Sequence, residues 1–189
     1  EGAIKEVSEL LDKLVKAVKT AEGASSGTAA IGEVVADDNA AKVADKESVK
    51  GIAKGIKEIV EAAGGSEKLK VAAATGENNK KAGKLFGKAG AAAHGDSEAA
   101  SKAAGAVSAV SGEQILSAIV KAAGAAAQDG KKPEEAKNPI AAAIGDKDGD
   151  ADFGDGMKKD DQIAAAIALR GMAKDGKFAV KSGDEKGKA

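Results

Sequence analysis

Four stretches of this sequence carry residue types that could do chemistry. Residues 146–156 read DKDGDADFGDG, a carboxylate-rich run of the kind that can cradle calcium. A calcium loop opening at Asp146 would have Asp148 and Asp150 at its third and fifth positions, but Ala151 stands where the turn needs glycine and Met157 where a bidentate glutamate belongs. Opening the loop at Asp148 puts Phe153 and Lys159 at those two places. The pattern fails in both frames, so the run reads as a solvated acidic loop with at most weak calcium affinity. Residues 171–177, GMAKDGK, have the spacing of a phosphate-binding loop. Phe178, however, replaces the hydroxyl that would hold magnesium, and a helical pattern precedes the motif where a strand is required. Gly176 reads instead as a helix stop, with Lys174 and Lys177 near the negative dipole end. His94 is the only histidine and is followed by Gly95, Asp96 and Ser97, but neighbours along a loop do not converge as a triad must. Arg170, the only arginine, could pair with a carboxylate at the core edge; the favoured reading is a solvated head over a packed stem.

With no cysteine, disulfides, zinc–thiolate sites and thiol catalysis are excluded. Acid–base chemistry would fall to carboxylates and lysines patterned like ordinary surface. The residues therefore indicate no catalytic, metal or cofactor site, and no enzyme is expected.

Composition sets the elements that would position any site. The 189 residues suffice for one domain with its own core. Of these, 43% are hydrophobic, but much of that is alanine, and three phenylalanines with no tyrosine or tryptophan supply little bulk. The core must be thin, with closely approaching backbones. Alanine favours helix, 31% charged residues supply outer faces, and 25 glycines punctuate the chain. The 29 basic residues, all but one lysine, nearly cancel 30 acidic ones, and no basic tract is interleaved with stacking aromatics, so nucleic acid is not an expected partner. The chain opens on Glu1 with no initiator methionine, signal peptide or lipidation cysteine, and so reads as a soluble piece of a longer protein.

Ile4, Val7, Leu11, Leu14 and Val18 recur at steps of three and four, widened by Leu10 and Val15; this predicts a packed bundle helix, with a coiled-coil partner as the alternative. A glycine- and serine-rich loop follows. A second helix from Ser48 carries Ile52, Ile56, Ile59, Val60 and Ala63 on one face and ends at Gly64 and Gly65. Its Gly51 and Gly55, one turn apart, could mark a close helix contact, but in so glycine-rich a chain they read as coincidence. A short helix is predicted over residues 66–74, and another helical face on Ala82, Leu85, Phe86 and Ala89. Asp96 or Ser97 caps a helix reaching Val110; Ser111 and Gln114 form a capping box for one running to about Asp129. Asn138 and Pro139 open a further helix, and residues 182–189 read as a frayed tail. Residues 163–169, IAAAIAL, are apolar on every face and belong inside; they span about 10 Å against the roughly 20 residues a bilayer crossing needs.

Residues 157–181, MKKDDQIAAAIALRGMAKDGKFAVK, resemble the invariable segment of the Vmp-like, VlsE-type variable surface lipoproteins of Lyme-disease spirochaetes. The resemblance extends to EGAIKEVSELLDKLVKAV at the start, KGIAKGIKEIVEAAG from Lys50 and AAGAVSAVSGEQILSAIV from Ala103. It implies that residues 1–189 are a single α-helical variable (cassette) domain without its flanking anchor regions. It also implies a non-catalytic surface antigen rewritten for antigenic variation and immune evasion. The expected partners are host antibodies, and attachment to the outer membrane would run through a lipid anchor outside this chain. The implied variable regions are residues 24–46, 64–80, 89–98, 123–139, 145–156 and 182–189, largely the stretches that composition marks as loops.

The expected fold is all-α: an irregular bundle of roughly five to seven helices, compact or elongated, with long surface loops around a buried helix over residues 162–174. Ile163, Ala166, Ile167, Leu169 and Met172 are its candidate core residues. Two further expectations stay open: an adhesin holding sulfated polysaccharide (glycosaminoglycan) or extracellular matrix through lysine-bearing loops, and homo-oligomerisation through the first helix.

Overall fold

Most helices begin where a side chain can close the first turn. In the computed structural model, which describes residues 2–25, 31–36, 43–87, 95–125 and 128–187, Asp45 accepts from Ser48 N–H to open α2 (Lys46–Ala62). Asp96 accepts from Ala99 N–H to open α3 (Ser97–Ser108). Ser111 and Gln114 form the reciprocal capping box of α4 (Gly112–Ala123), and Asn138 caps α5 (Pro139–Ile144), with Pro139 in its first turn. The remaining helices are α1 (Gly2–Ser25), α6 (Asp160–Met172) and α7 (Gly183–Lys186), the last capped by Ser182 within the tail expected to fray. Among the described residues the only strands are β1 (Val34–Val35) and β2 (Phe178–Ala179), a two-residue parallel pair. The fold is all-α, as expected. No single helix among the described residues is long and apolar enough to cross a membrane.

Several boundaries differ from the sequence reading. The segment expected to be helical over 66–74 keeps only one 3₁₀ turn, Ser66–Leu69, and then runs extended. Tertiary hydrogen bonds replace the helical ones: Gln114 Nε2 donates to Ala72 O at 2.9 Å, and Ala74 N–H donates to Asp161 at 3.2 Å. Lys80–Leu85 is also 3₁₀, because Gly83 must lie against the backbone of residues 151–153; a methyl there would sit 2.6 Å from Phe153 N. Ala89 lies outside the described residues. α4 stops at Ala123, with Gly124 as its cap, short of Asp129.

The core is two apolar clusters joined through α5 and α6. One gathers Leu85, Phe86, Phe153, Met157 and Val180 with Ala141 and Ala142 of α5 and Ile163 and Ala166 of α6. The other gathers Val49 and Ile52 of α2 and Ile119 of α4 with Ile140, Ala143 and Ile144 of α5 and Ala165 and Leu169 of α6. Small alanines let both helices face two ways at once, which larger side chains would prevent.

Gly51 and Gly55 are not coincidental. α1 runs antiparallel along α2, with Ala24 over Gly51 and Ala21 over Gly55. A methyl on Gly55 would lie 2.6 Å from Ala21 Cβ and 2.8 Å from Ala21 N and Cα. The reading of α1 as a fully packed bundle helix also needs correction. Ala17 is its one buried residue, while Ile4, Val7, Leu11, Val15 and Val18 are each more than half exposed. The closest approach to α2 is made by Ala21 and Ala24, where the facing glycines leave room for a methyl and nothing larger.

Gly55→Ala should therefore destabilise the chain. Alanine would add about 1 kcal/mol of helix propensity, whereas overpacking against backbone costs about 1–3 kcal/mol. Chemical denaturation showing a gain in stability would refute the close contact.

Candidate functional site

α6 and the segments that cover it form the part of the molecule on which any function must be built. Its first turn buries two carboxylates. Asp160 is 3% exposed and accepts from Asn79 Nδ2 at 2.8 Å, while its own N–H donates to Gly76 O at 3.1 Å. Asp161 accepts from Ala74 N–H and from Gln162 N–H at 2.9 Å. Both carboxylates also lie at the positive end of the helix dipole. The extended segment after Leu69 is thus held down on the start of α6, and Gly76 lacks a side chain because Asp160 occupies that space.

The other end is held by Arg170. It is 1% exposed and fully hydrogen-bonded into the protein: Nε donates to Lys177 O at 2.7 Å, and one terminal nitrogen donates to Ala143 O at 2.9 Å and Ile144 O at 3.1 Å. Its guanidinium carbon lies 5.5 Å from the centre of the Phe86 ring. Phe86 in turn meets Phe153 at 5.1 Å and Phe178 at 5.5 Å, so all three phenylalanines gather beside the single arginine. The solvated head expected from sequence is wrong, because the last turn of α6 is enclosed by α5 and the β2 segment. Burial pushes the Arg170 pKa down to about 10, which still leaves it protonated at neutral pH. Beyond it, Gly32 N–H donates to Gly171 O at 3.0 Å, and Lys174 N–H donates to the Ser48 hydroxyl at 2.9 Å.

Of the candidate core residues, Ile163, Ala166 and Leu169 are buried, and Ile167 and Met172 are half-buried. Across residues 157–181 only Lys174, Asp175 and Lys181 are exposed. The helix expected over 162–174 instead spans Asp160–Met172, and the left-handed residue after it is Asp175 (φ 59°) rather than Gly176. Gly176 is needed for close approach, since a methyl would sit 1.8 Å from Arg170 O. Sequence reasoning missed Asp160, Asp161, Asn79, Ser48 and the role of Arg170. The one available signal was a pair of aspartates opening an apolar helix.

The remaining candidates do not converge on chemistry. In the acidic loop, Phe153 is buried, Lys84 reaches Asp152 at 3.6 Å and Lys80 reaches Asp155 at 2.9 Å. The Lys80 hydrogen bond holds the Asp155 carboxyl below its usual value. Among the described residues no group of three or more carboxylates or histidines is placed to hold a metal. The phosphate-loop spacing has α6 before it and β2 after it, the reverse of what that motif needs. His94 lies outside the described residues. Asp96 caps α3 and meets Lys81 at 3.3 Å. Partial burial raises its carboxyl, but the Ala99 N–H and the Lys81 ammonium outweigh that and hold it below its ordinary value.

Comparison with known proteins gives one consistent result. A family model described as Borrelia lipoprotein matches residues 1–189. Variable large protein 17 of Borrelia hermsii is 37% identical over 188 residues, covering 97% of this chain and 52% of its own. Variable large protein 4 of the same organism is 35% identical over 192 residues, covering 97% and 53%. The crystal structure of the Lyme disease variable surface antigen VlsE of Borrelia burgdorferi superposes with a TM-score of 0.96 at 89% identity, covering all of this chain and 65% of that one. The chain thus spans about half the length of the curated relatives it matches.

Arg170→Met should lower stability by at least about 2 kcal/mol, since it keeps apolar volume but removes the donor from Ala143 O and Lys177 O, at about 1–3 kcal/mol each, while Ile144 O keeps its bond from Ala44 N–H. A urea midpoint unchanged or raised by this substitution would mean that guanidinium desolvation outweighs its hydrogen bonds.

Proposed function

Because the chain belongs to the Borrelia lipoprotein family, we propose that it acts as a non-catalytic variable surface antigen that evades antibodies by antigenic variation. It would be displayed at the outer membrane through a lipid anchor outside residues 1–189, with host antibodies as partners. The observation that carries this reading is how unevenly the surface is shared. The segment resembling the family's invariable region exposes three residues of 25, whereas among the described residues of the implied variable segments about half are exposed and few are buried. Pro133 and Ala136 anchor one such segment, leaving Glu134, Glu135 and Lys137 outside; Phe153 anchors another, leaving Lys147, Asp148, Asp152 and Asp155 outside. Exposed positions change at little cost, while a large-to-small change in the core costs about 2–5 kcal/mol. Antisera raised against the peptide of residues 157–181 should bind denatured protein strongly and intact cells weakly. Equal binding to both would show the helix accessible and sink the reading.

One observation favours a second activity, adhesion to sulfated polysaccharide. Residues 71–73, α4 and the start of α6 enclose a cleft of about 670 Å³ lined by Lys121, Lys137, Lys158 and Lys159. Its carboxylates are engaged elsewhere, Asp155 by Lys80 and Asp161 by Ala74 N–H. Lys158 pairs with Glu77, which leaves three lysines facing the cleft without an ion pair among the described residues. Retention on a sulfated polysaccharide column should fall when Lys121, Lys137 and Lys159 are replaced by alanine together. Retention unchanged by those substitutions, or absent at physiological salt, would remove this reading.

A further inference from the structure

Because the chain has no cysteine, Met157 and Met172 hold its only sulfur atoms, and neither tryptophan nor tyrosine is present to share their reactivity. Sulfur is the side-chain group that peroxides attack most readily, and its access to solvent decides how fast. The fold treats the two thioethers differently. Met157, just before α6, is 0% exposed and packed among Phe86, Phe153 and Ile163, where a water-borne reagent arrives only if the core opens. Met172, in the last turn of α6, is half-buried and leans from outside on the cluster of Val49, Ile52, Ile119 and Leu169. We propose that Met172 is an oxidant-reactive site, converted to its sulfoxide by hydrogen peroxide while Met157 stays reduced and the fold stays intact.

The step is one oxygen transfer. The thioether lone pair attacks a peroxide oxygen, the O–O bond breaks as the S–O bond forms, and the other oxygen leaves as water after proton transfer. Sulfur loses two electrons and the peroxide gains them. The product belongs to the class that methionine sulfoxide reductases reverse.

Position determines what that oxygen costs. A sulfoxide makes an apolar side chain polar, and in a closed core its oxygen is left without a partner. Met157 is in that situation, whereas a half-buried Met172 turns the new oxygen to water. The end of α6 also does not depend on the Met172 sulfur. On one side of it Arg170 donates to Ala143 O and Lys177 O, and Gly32 N–H donates to Gly171 O. On the other, Asp45 N–H donates to Lys174 O at 2.9 Å, and Lys174 N–H donates to the Ser48 hydroxyl. None of these bonds uses the methionine side chain, so they persist when it is oxidised. The proposal is independent of the antigen reading.

The test is timed peroxide treatment of the folded 189-residue chain, followed by trypsin cleavage and mass spectrometry. Cleavage after Lys147 and Lys158 isolates Met157, and cleavage after Arg170 and Lys174 isolates Met172, so each sulfur reports separately. Met172 should gain oxygen at least about tenfold faster than Met157 in the folded chain, and the two rates should converge in urea. The singly oxidised chain should keep its far-UV circular dichroism and a urea midpoint close to that of the reduced chain. Met172→Leu should remove the fast uptake, and Met157→Leu should retain it. Equal rates in the folded chain, a faster Met157, or a Met172 that resists peroxide able to oxidise free methionine overturns the proposal. So does fast uptake that survives Met172→Leu, or loss of helix on single oxidation.

Discussion

A single buried guanidinium ties together at one point the segments that the two apolar clusters bring into contact. Arg170 sits at the last turn of α6, takes up the carbonyls that end α5, bonds to Lys177 ahead of β2, and lies against the Phe86 ring. Through Phe86 it reaches Phe153 of the acidic loop and Phe178 of β2. Desolvating an arginine is costly, and its lowered pKa is a sign of that cost. Its return is that one planar donor serves several carbonyls for which water has no room. Gly145 follows from it: the residue sits at φ 76°, and a methyl there would lie 2.7 Å from the guanidinium and 2.9 Å from Phe86 O. The backbone turns sharply there because the arginine fills the inside of the turn.

The rest of the packing follows from scarcity of bulk. With aromatic residues at 2% of the chain, side chains alone cannot fill the space between segments, so backbones must come close. α1 meets α2 across Ala21 and Gly55. The loops do the same with one another: a methyl on Gly87 would overlap Gly149 O at 1.7 Å, and one on Gly154 would overlap Glu134 O at 2.2 Å. Glycines that read in sequence as punctuation are in large part contact surfaces. They let three irregular segments stack on the α5–α6 centre.

This division explains what could and could not be read from the amino acids. Helices with strong local signals were legible, because a cap such as Asn138–Pro139 or Ser111–Gln114 acts over a few residues and depends on little else. The burial of α6 was legible because no face of residues 163–169 is polar. Interactions between distant residues were not. Nothing near Arg170 in sequence reveals that Ala143 and Phe86 will enclose it, and nothing near Ala74 reveals that Asp161 will take its N–H and keep that segment from turning helical. The apolar stripe of α1 misled for the opposite reason. Periodicity shows that a face seeks a partner, but not whether the same domain supplies it.

The same arrangement bears on how a surface could change while its framework stays fixed. Most of what stabilises the irregular segments is either backbone or a single anchoring side chain: Phe153 and Pro133 in two of them, and the hydrogen bonds to Ala72 and Ala74 in the extended stretch. Backbone hydrogen bonds do not depend on side-chain identity, so residues between anchors are free to vary so long as glycine remains where two chains touch. α6 has no such freedom, since each face meets a different neighbour and both ends carry buried charge. On the proposed reading, a constant buried helix and variable outer segments would be coupled requirements: the helix would have to stay the same to hold loops of differing sequence, and the loops to stay stacked to keep the helix covered.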